Sequence, residues 1–419
     1  MTIQRILHYL LIGWFVFAFA ACNKTKTTVP LPSATSETTV LTQISTFLPA
    51  TSTKVPPTAT LTLPTETHIP FPSLAFIKMV NEQIGWSLTL DDGFLLRTEN
   101  GGSEWKEVLP EINIYDPGTV YILGTTIARV INNQKIYNTQ NGGVNWESIS
   151  TPFNQGSIQF INSTDGLVVA DSDCGSGTCY FHLYTTHDGG RSWEILNVSN
   201  LGGSSDNLPP GTVQIHSGDR FQLSHASTIW LGGNDLTDSR FADLWVSRNW
   251  GQTWQIIQMT MPGLGQDQTS PVWVDLPVFM NDNDGYFAAK FLIPGKDASD
   301  LQPYMAVFIT RDGGWTWFPR TILVPGIDAM SHIDFISVMD AIVLCGANLC
   351  VTNDGAQTWE TIQSNLQFTQ NDRSAIIAYD FVSTTTGWVI LSNENGDNEL
   401  FNTVDGGITW IELQPQLIK

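Results

Sequence analysis

Four aspartates carry the spacing most suggestive of chemistry. Asp188, Asp312, Asp354 and Asp405 each stand two residues after a threonine and five before a tryptophan. Taken singly, such a carboxylate could move a proton or ligate a hard cation. The spacing recurs with Asn100, Asn141 and Asn249 in the same place, which makes seven copies of Ser/Thr-x-Asp/Asn-x-Gly-x-x-Trp. The copies open at Thr98, Thr139, Thr186, Ser247, Thr310, Thr352 and Thr403. They close at Trp105, Trp146, Trp193, Trp254, Trp317, Trp359 and Trp410. A site needs such residues once, whereas an array of turns needs them in every unit, so the repetition points to structure.

The other chemistry-bearing residues are fewer. Asn281-Asp282-Asn283-Asp284-Gly285 resembles part of a calcium loop, but its first position would be Met280 and it falls where a turn between strands is required. His182, His187, His216, His225 and His332 lack metalloprotease spacing, and there is no phosphate-cradling glycine loop and no Gly-x-Ser-x-Gly elbow. No metal and no cofactor is expected. Four of the five cysteines form two pairs, Cys174/Cys179 and Cys345/Cys350, each with four residues between. Both pairs fall where a hairpin should lie, so each could cross-link its own hairpin, free thiols being the alternative. A zinc site would more often use shorter spacing and a second pair nearby. Disulfides would imply an oxidising compartment.

The elements that must position these residues follow from the motif. The Asp or Asn oxygen can accept hydrogen bonds from backbone N–H groups just downstream, the glycines supply positive φ, and the tryptophan enters the next strand and buries its ring between neighbouring units. In the first unit the strands read Ser73 to Val80, Ile84 to Leu90, Gly93 to Thr98 and Trp105 to Leu109. In the last they read Ser374 to Val382, Gly387 to Ser392, Glu399 to Thr403 and Ile408 to Leu413. About 350 residues shared among seven copies gives about 50 per copy, the length of a four-stranded propeller blade. The expected fold is all-β, a single seven-bladed β-propeller of four-stranded blades over residues 73–419. An isolated blade cannot cover its faces, so the ring must close, and residues 60–72 or 411–419 could supply an extra strand.

The motif resembles the Asp-box, or bacterial neuraminidase repeat, of sialidases, sortilin-type receptors, xyloglucanases and photosystem II assembly factors. The chain is most similar to the last family, with which it shares an apolar residue six positions before a glycine: Met79 and Gly85, Phe160 and Gly166, Phe279 and Gly285, Phe381 and Gly387, with Phe335 and Ala341 as a variant and Trp230 in an equivalent place. The resemblance implies that the boxes lie on one face of the disc. Ligands of sialidase-like members lie on the other, among the loops joining second to third strands and one blade to the next. Four long loops map there: Ser199–Asp219, Asn234–Asp243, Gly263–Val272 and Pro294–Pro303. The candidate ligand-binding residues are Asp235, Asp238, Arg240, Trp273, Asp297, Asp300 and Tyr304.

Upstream of the repeats, residues 1–21 read as an export signal. The apolar run from Ile6 to Ala21 is short for a membrane span, and Phe19-Ala20-Ala21-Cys22 resembles the bacterial lipobox, in which the cysteine carries the lipid. Residues 22–72 are rich in Thr, Ser and Pro and read as a disordered stalk, about 40 Å long as a flexible coil or up to about 150 Å if extended. The expected location is therefore outside the cytoplasm, lipid-anchored to a bacterial membrane, with the domain facing the periplasm or the cell exterior. With 40 acidic against 19 basic residues the net charge is −21, which repels nucleic acid and anionic lipid.

Two functions are open. The first is a non-enzymatic binding or assembly propeller at the cell envelope, a monomer taking a protein or carbohydrate ligand. The second is an extracellular glycoside hydrolase of sialidase-like or xyloglucanase-like type. A sialidase would need three converging arginines. Arg97, Arg191, Arg248 and Arg311 sit in or beside boxes, which leaves Arg129, Arg220, Arg240, Arg320 and Arg373. A xyloglucanase would need two propellers enclosing a cleft with two acids. No catalytic set is assigned.

Overall fold

The computed structural model describes residues 71–175, 178–196, 212–216, 220–225, 227–232, 244–257, 259, 273–294, 301–322, 333–368, 376–393 and 397–418. These residues form seven sheets, the blades of a β-propeller ring, with four antiparallel strands as the common unit. Blade 1 runs outward from Leu74–Met79 through Gly85–Thr89 and Leu95–Thr98 to Glu104–Glu107. Blade 7 runs from Ile376–Phe381 through Gly387–Ser392 and Asn398–Thr403 to Ile411–Glu412. Helix is confined to one short turn at Pro117–Thr119 among the described residues. The outer strands are shorter than their sequence pattern predicts because their residues face water on the rim: Glu194, Ile195, Ile411 and Glu412 are all exposed.

The core is divided into wedges between blades. Each of seven apolar clusters joins residues of two adjacent blades, and each contains the motif tryptophan of one of them. Trp146 packs between blades 1 and 2, Trp193 between 2 and 3, and Trp254 between 3 and 4. Trp317, Trp359 and Trp410 continue the series, and Trp105 closes it between blades 7 and 1. Trp105 and Trp410 are buried and the other five are half-buried. Burying a tryptophan ring of roughly 200 Å² contributes up to about 5 kcal/mol. Second strands are covered on both sides, and in Gly85–Thr89, Thr228–Gly232 and Ala341–Cys345 every position is buried.

The turn that aims each tryptophan is the same in all blades. The motif Ser or Thr hydroxyl donates to the Asp or Asn Oδ1, at 2.7 Å for Thr310 and Asp312, and accepts the backbone N–H four residues on, at 2.9 Å from Gly314. Oδ1 in turn accepts the N–H of the residue before the tryptophan, at 2.9 Å from Thr316 and at 2.8 Å from Thr409 in blade 7. The turn is also tied to the turn between the first two strands by one backbone bond. Gly101 donates to Gln83 O, Gly142 to Thr126 O, Gly189 to Thr164 O, Trp250 to Ser227 O, Gly313 to Asn283 O, Gly355 to Met339 O and Gly406 to Thr385 O, all at 2.8 to 3.0 Å. Both residues between the Asp or Asn and the final three positions have positive φ; Trp250 at 55° and Ala356 at 63° are the exceptions to glycine. The upstream signature has a packing cause. A Cβ on Gly85, Gly166, Gly285 or Gly387 would collide with Met79, Phe160, Phe279 or Phe381, its partner across the strand pair.

At the closing seam blades 1 and 7 each keep four strands that are consecutive in the chain. Trp388 Nε1 donates to Gly101 O at 2.9 Å, and Ile390 and Leu400 of blade 7 pack on Leu74, Ile77, Met79 and Trp105. Gln416–Ile418 then adds a fifth strand to blade 1, parallel to Glu104–Glu107. Other departures from four strands concern the face away from the motif turns. Thr212–His216 pairs with the end of Thr178–Thr186, inside what reads in sequence as a long loop. The hairpin of Gly285–Pro294 and Leu301–Thr310 pairs as far as Pro294 and Leu301, which shortens the predicted loop Pro294–Pro303. Cys345 and Cys350 are joined by a disulfide across the hairpin of blade 6. Cys174 and Cys179 are opposite in register in blade 3, and their side chains lie outside the described part.

Two predictions follow from the turn. Gly314 has φ of 82°, and a Cβ there would stand 2.8 Å from the buried Trp230 ring. Gly314→Ala should lower unfolding stability by about 2–4 kcal/mol in a urea titration, combining left-handed strain with overpacking. Asp188 and Asp354 each have a carboxyl pKa of about 2: burial pushes it up, but the hydroxyl and backbone N–H of Ser192 or Thr358 and the hydroxyl of Thr186 or Thr352 outweigh that. Since an unfolded aspartate titrates near about 3.9, these groups contribute stability present above about pH 4 and lost as pH falls towards about 2. Asp188→Asn/Asp354→Asn, which keeps an acceptor as in the Asn100 turn, should flatten that acid decline when urea midpoints are followed against pH.

Candidate functional site

The innermost strands surround the centre of the ring. Between blades 2, 3 and 4 they enclose a cavity of about 370 Å³ lined by Tyr121, Ser157, Gln159, Gln222 and Leu223 among others. Its walls are set by bonds between blades. Gln159 Nε2 donates to Phe221 O and its Oε1 accepts from Leu223 N, both at 2.7 Å, so one amide links blades 3 and 4. The Tyr121 hydroxyl donates to Phe160 O and links blades 2 and 3. Burial raises its pKa, with the Phe160 bond and Arg129 acting the other way. The named polar groups of this cavity are amide and hydroxyl, suited to hydrogen bonding rather than to proton transfer.

The described charged side chains of the inner strands lie in blades 5 to 7 and 1, the side chain of Arg220 in blade 4 being outside the described part. Asp334 Oδ2 accepts from Phe381 N at 3.0 Å, linking blades 6 and 7. Asp380, one strand pair further on, accepts from Met79 N at 2.5 Å through Oδ2 and from Lys78 Nζ at 2.6 Å through Oδ1, linking blades 7 and 1. Burial raises the Asp380 pKa, opposed by Lys78 and reinforced by Asp334. Burial also drives the Tyr379 phenol well above its ordinary range, and Asp334 adds to the effect. The carboxylates at the same point of successive inner strands thus act as fasteners between blades.

Two of the candidates read from sequence, Trp273 and Tyr304, are among the described residues. Trp273 is buried rather than displayed at a loop tip: its Nε1 donates to Asp275 Oδ1 at 2.7 Å, and Lys290 Nζ lies 3.6 Å from Asp275 Oδ2 and 5.8 Å from the indole centre. Tyr304 is half-buried and pairs in register with Phe291, whereas Trp273 pairs with Lys290, the next residue on the same strand. Because alternate strand positions face opposite sides, Trp273 and Tyr304 belong to opposite sides of blade 5. Asp235, Asp238, Arg240, Asp297 and Asp300 lie outside the described residues, as does Cys22. Of the arginines available for a triad, Arg129 is engaged on the face of the motif turns. Its guanidinium stacks on Phe160 at 3.6 Å and donates to Ser163 O at 2.5 Å. Arg320 stands on the outer strand of blade 5, and the side chains of Arg220, Arg240 and Arg373 are not among the described ones. In the calcium-like loop, Asn281 Oδ1 accepts from Asn283 N and Asp284 N and its Nδ2 donates to Asp284 Oδ2, so it is a closed turn. No three acid, histidine or cysteine side chains gather to hold a metal among the described residues.

Sequence reasoning missed Gln159, Asp334 and Asp380. A signal was present: each immediately precedes the apolar residue of the upstream signature, Phe160, Phe335 and Phe381.

No protein-family model matches the sequence, and no curated protein matches it. Among solved structures, YCF48 bound to D1 peptide is 16% identical, with 80% of this chain and 93% of that one covered and a TM-score of 0.48. YCF48 from Cyanidioschyzon merolae is 14% identical over 80% and 97%, with a TM-score of 0.44. A PL25 ulvan lyase bound to -[GlcA(1-4)Rha3S]- is 9% identical over 80% and 92%, with a TM-score of 0.46. At these identities the likeness is one of fold.

The Asp380 fastener gives a direct test. Asp380→Ala leaves the Met79 N–H and Lys78 without their acceptor at the closing seam, and should cost about 2–4 kcal/mol in urea unfolding. Lys78→Ala should cost less, because the Lys78 side chain is 56% exposed.

Proposed function

We propose that the protein is a non-enzymatic binding propeller held at the cell envelope, taking a protein or carbohydrate ligand over the inner cavity and the face away from the motif turns. The observation that carries this reading is the division of labour among the inner strands. Asp334 and Asp380 hold blades together, Asp275 holds Trp273, and the cavity at blades 2 to 4 presents amide and hydroxyl groups. Such a lining favours recognition by hydrogen bonds. The chain is proposed to be exported through residues 1–21, lipidated at Cys22, and lifted from the membrane by residues 22–72, with the propeller over residues 73–419. It is proposed to be a monomer that avoids nucleic acid, consistent with its net charge of −21.

Two measurements test this together. Full-length protein, detergent-solubilised, is applied to a glycan array and used to capture envelope proteins, with and without Gln222→Ala in the cavity wall. A ligand whose capture falls roughly ten-fold in the variant supports the site. Turnover of a chromogenic glycoside would overturn the non-enzymatic reading. Separately, labelling with an alkynyl fatty acid should mark the wild-type chain and not Cys22→Ser, which should leave the membrane fraction. Unchanged membrane retention of the variant would reject the lipid anchor.

A further inference from the structure

The groove between blades 1 and 2 has a shape that neither the motif turns nor the inner strands account for. It encloses about 770 Å³, within the usual range of ligand sites. One wall is the outer strand Glu104–Glu107 and the connection that follows it; the other is the second motif turn, with Val144 and Trp146. The cause is topological. Gln416–Ile418 gives blade 1 a fifth strand in parallel register, Ile418 beside Lys106, so this wall reaches further out by one strand spacing, about 4.8 Å.

Comparable seams are bridged at the rim. Arg191 of blade 3 meets Glu147 of blade 2 at 3.0 Å, and Arg248 of blade 4 stacks on Trp315 of blade 5 at 4.0 Å. In blade 1, Arg97 stands one residue before the motif threonine and is drawn inward. It pairs with Glu99 of its own blade, donates to Thr125 O and lies against Gly142, with its side chain only 12% exposed. No ion pair crosses the mouth of the groove among the described residues. What lines it is apolar and acidic: Val144 is 78% exposed and Ile418 41%, and among the described residues Glu99, Glu104 and Glu111 stand there with Arg97 and Lys106. Arg97 and Glu99 offset each other, while Glu104 and Glu111 make no ion pair among the described residues. The strand Gln416–Ile418 is the outermost of its sheet, exposed at all three positions, with no strand beyond it among the described residues.

We propose that this groove docks an extended segment of a partner protein in which lysine or arginine alternates with apolar residues. The segment lies along the open edge of Gln416–Ile418 as a further strand. Main-chain hydrogen bonds to that edge supply affinity, and alternation sends every second side chain into the groove. Cationic side chains there meet Glu104 and Glu111, and apolar ones rest on Ile418 and Val144. The surplus of acid in the groove and the net charge of −21 both favour a cationic partner.

The experiment uses the full-length chain in detergent and a short fluorescent peptide of alternating lysine and valine, read by anisotropy. Saturable binding with Kd on the order of 10 µM is expected, with none by the glutamate–valine counterpart. Glu104→Lys/Glu111→Lys and, separately, Ile418→Asp should each weaken binding roughly ten-fold, with thermal unfolding little changed because these positions lie on the rim. Glu360→Lys, on the outer strand of blade 6, should leave binding unchanged. Absence of saturation up to about 1 mM overturns the proposal. So does equal loss in the Glu360 variant, or retention in both groove variants, since either would mean general attraction to an acidic protein.

Discussion

The fold depends on one arrangement, a hydroxyl paired with a carboxylate or carboxamide oxygen, that converts a chain reversal into an aimed tryptophan. Thr310 Oγ1 and Asp312 Oδ1 between them accept the N–H groups of Gly314 and Thr316. The reversal therefore leaves neither of these donors open and delivers Trp317 at a fixed angle to the cluster between blades 4 and 5. The bond from Gly313 N to Asn283 O fixes the same turn to the inner half of its own sheet. Position, direction and depth of the wedge are thus set by bonds made within a single blade. Seven repetitions make a ring because each wedge needs a neighbour to enter.

Much of this was legible in the sequence, because the repeated residues are those that local hydrogen bonding demands. The second strand of blade 7, Gly387–Ser392, has the bounds its pattern predicts. The spacing of Phe160 and Gly166 is explained by the ring lying over the bare glycine Cα. What the sequence concealed were relations between units. Asp380 and Met79 lie 301 residues apart, and no local pattern announces that a carboxylate on the last blade serves the first. Trp273 follows a glycine-rich stretch and so resembles a loop residue, although its strand folds it against Asp275 and Lys290. Tyr304 resembles it in the same way until strand alternation puts the two on opposite sides of blade 5.

Chemistry and architecture are distributed unevenly around the ring. The described inner acids lie in blades 5, 6 and 7, where Asp334 and Asp380 bond to the next blade and Asp275 to Trp273 of its own. The neutral cavity lies among blades 2 to 4. Extended hairpins rise from blades 3 and 5 on either side of blade 4, whose strands are short. A recognition surface built on that side would draw on rigid neighbours, with the charged fasteners kept apart from it.

The division of the core into wedges has a consequence for how such a molecule can change over time. A conventional globule shares one interior, and an altered side chain is felt throughout it. Here a substitution at one seam is answered only by the two sectors that meet there, as Ala356 shows by occupying a place that is glycine in the other six turns. Each sector can therefore drift at its own pace, provided its two flanks keep matching their neighbours, and rim features such as the fifth strand of blade 1 can arise in one sector without renegotiating the rest.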